Sequence, residues 1–215
     1  MNDAQPAPSI PAELASRRRF FGAAGALVAG GVAAGSLAGC GSGGTKNAVA
    51  TTASADYGYG DTSIVNSLLT LEYVENDFYR QVVSSGFFSG REQALFQLIR
   101  SNEQQHLTKL QDLAQRMGGP GAQRPVTRFP IDRGPRTVLR VAAMLEDTAA
   151  GAYLGQVTEI VSKTVLATAL SIHTVEARQA GQLDRLAGQP FSPDGPFASP
   201  LNADQVLQRV NPFIQ

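Results

Sequence analysis

The sequence predicts an all-α protein: an up-down bundle of four helices with a long crossover between the second and third, followed by an extended C-terminal tail. Three observations carry this prediction. Apolar residues recur at the helical period in four segments between residues 62 and 188. Capping and breaking residues bracket those segments. Residues 118–135, which hold four prolines and four glycines, separate the second segment from the third and read as a crossover too long for a tight turn.

The first helix is expected over about 63–84, with Val65, Leu68 and Leu69 on its apolar face, Glu72 and Tyr79 on the same face further along, and Thr62 or Ser63 as its cap. The second opens at Ser89, which forms a capping-box pattern with Glu92. It runs through Leu95, Leu98, Ile99, Leu107, Leu110 and Leu113 and stops at Gly118-Gly119-Pro120. A third helix is read in "RTVLRVAAMLEDTAAGAYLGQ", residues 136–156, and a fourth from a Ser162 cap to Gly188. The domain boundaries follow: bundle over 62–188, tail over 189–215, with one short helix after Asn202.

Polar residues inside these faces carry the functional information, because a buried glutamate is costly unless something pairs with it. Glu72 and Glu103 lie equidistant from the turn between the first two helices, at Phe87–Phe88. Each is about 15 residues, or roughly 23 Å, from that turn, so antiparallel packing sets them at one height. Glu146 and Glu176 repeat the figure about Val161. Tyr79 follows Glu72 by seven residues as Tyr153 follows Glu146, and His106 follows Glu103 by three as Gln179 follows Glu176. The two halves read as a duplicated hairpin with four glutamates converging on one layer.

Four carboxylates in an apolar interior repel one another and take up protons unless cations are present. Two divalent ions resolve this, and hard oxygen donors with one imidazole suit Fe or Mn. The segments "LTLEYVENDFYRQ", "MLEDTAAGAYLGQ", "LSIHTVEARQAGQL" and "VNPFI" resemble the ferritin-like domain family that includes the desiccation-related proteins, over most of residues 62–214. That resemblance implies a ferritin-like bundle and a di-iron or di-manganese site with Glu72, Glu103, His106, Glu146 and Glu176 as ligands. Gln179 stands where a second histidine is expected. Its amide oxygen is a weaker, neutral ligand, which makes the two metal positions unequal, although the ferroxidase centres of true ferritins also have a glutamine near one iron. Glu75 and Asp147 are adjacent alternatives to Glu72 and Glu146 and are read either as solvated groups or as groups that support the ligands without binding a metal. Tyr79, Tyr153 and His173 are read as supporting residues around the ligands.

The first 39 residues read as an export signal rather than part of the fold. "SRRRFF", containing Arg17 and Arg18, resembles a twin-arginine motif, and Leu37-Ala38-Gly39-Cys40 resembles a lipoprotein cleavage site with Cys40 as the acylated residue. A retained transmembrane anchor is the competing reading, weakened by the glycines of this run. Residues 40–61 then form the lipidated cysteine and a Gly/Ser/Thr-rich linker. Cys40 is the only cysteine, which excludes an intrachain disulfide. With 18 basic and 18 acidic residues the chain has no charge bias toward nucleic acid, and the expected partner is the membrane, through the lipid.

The expected function is therefore that of an exported, membrane-anchored protein with a dinuclear Fe or Mn centre. It would oxidise ferrous iron or remove peroxide at the cell envelope, with O2 or peroxide as small-molecule substrate. No catalytic residue is assigned beyond the ligands. The alternative is a non-catalytic protective module with a residual metal site. The oligomeric state is left open, a dimer among the options.

Overall fold

The computed structural model describes residues 60–119 and 121–215. Four long helices dominate: α1 (Asp61–Ser84), α2 (Gly90–Arg116), α3 (Pro135–Gln156) and α4 (Lys163–Ala187). A short helix, α5 (Ala203–Val210), follows in the tail. The only extended pairing among the described residues is one antiparallel bridge between Thr127 and Ile214. No described helix is long and apolar enough to cross a membrane. Arg17, Arg18 and Cys40 lie outside the described residues, as do all but the last two residues of the linker.

Two helix starts differ from expectation. α1 begins before Thr62 and Ser63, after Gly60, whose φ of 59° turns the chain into the helix. Asp61 does not cap its own helix. Its carboxylate accepts hydrogen bonds from the backbone N–H groups of Val161 and Ser162 at 2.9 and 2.7 Å, fastening the start of α1 to the α3–α4 turn. At α2 the Ser89–Glu92 capping box does not form. Ser89 makes no side-chain cap bond, because Gly90 takes a φ of 55° and carries the chain away from a regular first turn. Ser162 and Gly188 cap α4 as expected: the serine hydroxyl accepts from Val165 N–H, and Gly188 adopts the left-handed conformation. A capping box does form at α5, between Asn202 and Gln205.

The core lies between the four helices. α1 contributes Leu69, Val74 and Phe78; α2 contributes Phe96, Ile99 and Leu107; α3 contributes Leu145 and Ala149; and α4 contributes Ala169 and Leu183. Leu98, expected on the buried stripe of α2, is 59% exposed, one step off the face defined by Phe96, Ile99 and Leu107. Neighbouring residues reveal the helix directions. The α1–α2 turn (Phe87, Phe88), the start of α3 (Pro135, Arg136) and the end of α4 (Leu186–Gly188) line one groove at one end of the bundle. The α3–α4 turn meets the start of α1 at the other, through Asp61. The α1–α2 and α3–α4 hairpins thus run in opposite senses, and the crossover must climb the length of the bundle. It does so along α1: Gly121 packs near Leu69, Thr127 donates to Asp77, and Phe129 stacks edge-on against Phe78.

The tail closes over helix glycines. Leu201 N–H donates to Gly151 O at 2.8 Å, and the Leu201 carbonyl lies where a Cβ on Gly155 would have to be. Phe191 covers Gly181 in the same way. Beyond α5, Phe213 stacks on Phe129, and its carbonyl accepts from Arg128 N–H, so the tail also grips the crossover.

Candidate metal centre

Each long helix delivers polar side chains to one level of the core. α1 supplies Glu72 and Glu75, α2 Glu103 and His106, α3 Glu146, and α4 Glu176 and Gln179. Three helices therefore use an i, i+3 pair, which places both side chains on one face. The equal spacing about the two turns, read from the sequence, does bring Glu72, Glu103, Glu146 and Glu176 together. All five glutamates are 0% exposed, whereas His106 and Gln179 keep 9% and 7% and so form the edge nearest solvent.

His106 Nδ1 lies 2.8 Å from Glu176 Oε1, 3.3 Å from Glu103 Oε2 and 3.8 Å from Glu72 Oε2. Glu72, Glu103, His106 and Glu176 form one set whose donor atoms lie within 4.8 Å of one another; Glu75, Glu146 and Glu176 form a second. Glu176 belongs to both. The two sets are therefore adjacent, with one carboxylate between them.

The surroundings are ordered by hydrogen bonds. Tyr79 donates to Glu146 Oε1 at 2.5 Å, and Tyr153 donates to Glu72 Oε1. Gln179 donates through its amide nitrogen to Glu103 Oε1 at 2.8 Å and Glu146 Oε2 at 3.0 Å, while its oxygen accepts from Asn102 at 2.7 Å. Several carboxylate oxygens nevertheless have no hydrogen-bond partner: Glu72 Oε2, both oxygens of Glu75 and both of Glu176. Glu176 Oε1 has only the close approach of the imidazole.

Burial and mutual repulsion raise the proton affinity of this group. Glu146 is pushed up to about 8, first by desolvation and then by the charge of Glu103. Glu72, Glu75 and Glu176 are raised well above the usual carboxylate range, again by desolvation first and neighbouring carboxylates second. Desolvation likewise raises the Tyr79 and Tyr153 hydroxyls well above 10, which keeps them protonated as donors. Among the described residues no lysine or arginine pairs with any of the five glutamates. Their charge is neutralised by protons or by cations, and oxygen atoms without partners, grouped within reach of one another, fit the second. Five hard oxygen donors and one imidazole match the preferences of Fe and Mn.

A family model described as the ferritin-like domain matches residues 60–189. The chain belongs to the ferritin-like domain family. Among curated proteins, none matches it in sequence. The tail beyond residue 189 lies outside the matched ferritin-like region, although it packs on the bundle.

Not every residue singled out in the sequence reaches the ferritin-like cluster. His173 is half-buried and sits with Nδ1 3.0 Å from the Ala150 carbonyl, linking α4 to α3. Asp147 is half-buried and pushed up to about 6 by desolvation and by Asp184, and it belongs to neither donor set. Glu75 requires a correction. Expected to be either solvated or a support beside the ligands, it is fully buried, which removes the first alternative, and it belongs to the second donor set. Its signal in the sequence was the i+3 spacing from Glu72, the same spacing that pairs Glu103 with His106.

Proposed function

We propose that this ferritin-like protein is exported, anchored through Cys40, and holds two Fe or Mn ions with which it oxidises ferrous iron or removes peroxide at the cell envelope. The observation that carries the metal reading is the set of fully buried, partnerless carboxylate oxygens beside His106. Glu72, Glu103 and His106 would hold one ion and Glu146 the other, with Glu176 common to both. When bound, such ions supply one-electron chemistry toward O2 or peroxide. The chain's own contribution is to keep bulk water out, since none of the five glutamates is exposed, and to present protonated hydroxyls at Glu72 and Glu146 through Tyr153 and Tyr79. Gln179 and His106, at the less buried edge, mark the side from which ions and small oxidants would enter. The export reading rests on the residues around Arg17, Arg18 and Cys40 alone.

A second reading is favoured by Gln179, whose amide already satisfies two of the carboxylates without any cation. On that reading the protein is a protective, desiccation-related module with a residual site. Elemental analysis of the full chain, purified in detergent and reconstituted anaerobically with Fe(II) or Mn(II), separates the two. About two ions per chain are expected for the dinuclear site, followed by measurable ferrous oxidation or peroxide loss; absence of bound metal would leave the protective module. Lipid labelling that disappears in Cys40→Ala, and retention in the cytoplasm of an Arg17→Lys/Arg18→Lys variant, are the expected results for the anchor and the export route.

A further inference from the structure

We propose that Glu75 is a metal ligand that takes the place left by the missing histidine at position 179, so that the second position is held by Glu75, Glu146 and Glu176 through oxygen alone. The proposal rests on the dinuclear reading and extends it to a residue outside the set that the family resemblance implies.

Three observations support it. Glu75 is the one carboxylate of the five for which the structure shows neither a hydrogen-bond partner nor an ion-pair partner: Glu72 has Tyr153, Glu103 has Gln179 and His106, Glu146 has Tyr79 and Gln179, and Glu176 has His106. It is nonetheless 0% exposed, and its oxygen lies within 4.8 Å of donor oxygens on Glu146 and Glu176. A carboxylate buried without a partner destabilises a fold, and a methionine or leucine would fill the same space without that cost.

The third observation is the orientation of Gln179. Its oxygen, the only atom of the amide able to bind a cation, is engaged by Asn102, and its NH2 faces Glu103 and Glu146. Gln179 therefore positions two carboxylates, and the donor count it cannot complete is completed from α1. The first position keeps mixed oxygen and nitrogen donors. The second becomes all-oxygen, which suits Mn(II) and Fe(II) and removes the imidazole that favours later transition metals.

The test is Mn(II) binding to the full chain, followed through the free-ion electron paramagnetic resonance signal, for wild type, Glu75→Gln, His106→Gln and Glu75→Gln/Gln179→His. The wild type is expected to bind two ions. Glu75→Gln should keep one and weaken the other by at least about 10-fold, the lower bound for losing a group that merely supports a ligand. His106→Gln should weaken the complementary ion. The double variant should regain the second ion, because an imidazole at 179 restores a donor from α4; a purely structural Glu75 has no reason to be rescued there. Helical circular dichroism and the metal-free melting temperature of Glu75→Gln, expected to equal or exceed that of wild type, control for folding. Two ions bound undiminished by Glu75→Gln would overturn the assignment of Glu75 alone. So would a loss accompanied by a lower metal-free melting temperature and no rescue by histidine. Fewer than two ions in the wild type would overturn the dinuclear reading, and this inference with it.

Discussion

Tyr79 on α1 donates a 2.5 Å hydrogen bond to Glu146 on α3, and Tyr153 on α3 donates the reciprocal bond to Glu72 on α1. Each hairpin thus supplies the hydroxyl that holds the other hairpin's carboxylate. The seven-residue spacing from glutamate to tyrosine, repeated in both halves, is what an approximate two-fold axis between antiparallel helices requires.

Removing either hydroxyl leaves a fully buried carboxylate oxygen without its donor. Tyr79→Phe and Tyr153→Phe should each destabilise the metal-free protein by about 1–3 kcal/mol, and by similar amounts, in urea denaturation. A marked inequality between the two would show that the symmetry of the contacts is not a symmetry of energies.

The metal-free protein should become less stable as pH rises. Glu146 is raised from 4.5 to about 8 in the fold, so the folded state binds its proton more tightly than the unfolded chain does. Its contribution is complete below 4.5 and lost as pH passes through 8; Glu72, Glu75 and Glu176 shift in the same direction. Thermal melts between about pH 5 and about pH 9 should show a falling melting temperature. A flat profile would mean that the carboxylates ionise in the fold without penalty.

Bound cations should reverse that trend, because they require the deprotonated carboxylates that the empty fold disfavours. At a free Mn(II) concentration 100 times a site's dissociation constant, each occupied site should add about 2.7 kcal/mol. Calorimetry before and after chelation checks the gain and its reversal, and at one fixed free Mn(II) concentration the gain should be larger at about pH 8 than at about pH 6, because deprotonated carboxylates bind the ion more tightly.

Gly155→Ala should destabilise the protein, although glycine-to-alanine changes inside exposed helices ordinarily stabilise by about 1 kcal/mol. A Cβ at position 155 would lie 2.0 Å from the Leu201 carbonyl oxygen, a backbone atom that can withdraw only if the tail lifts from α3. Limited proteolysis within residues 190–200 should accelerate in this variant, while the four-helix circular dichroism signal is retained.

The four helices and their common carboxylate layer were legible in the sequence because both depend on spacing: the helical period sets the faces, and equal distances from a turn set the heights. Glu103 and His106 were found this way, as were Glu72, Glu146 and Glu176. Glu75 was left undecided between a solvated group and a support beside the ligands because one glutamate per helix was treated as a ligand. Residues three apart are separated by only about 60° around a helix, so both fit the inward stripe once α1 is packed on three sides. The Ser89 cap failed for a local reason, since a glycine at the next position admits a backbone angle that the capping pattern does not encode. The role of Gln179 depended on Asn102, a partner on another helix that no local pattern reveals.

The clasp formed by Leu201, Phe213 and Ile214 has a consequence for the order of events during synthesis. These residues leave the ribosome after the four long helices and after the crossover that they cover. A nascent chain can pair its two hairpins and gather its glutamates while Gly151, Gly155 and Phe129 are still uncovered. The carboxylate cluster takes no side chain from the tail. Its assembly can therefore precede docking of the tail, which makes the clasp a late step that closes an already formed site.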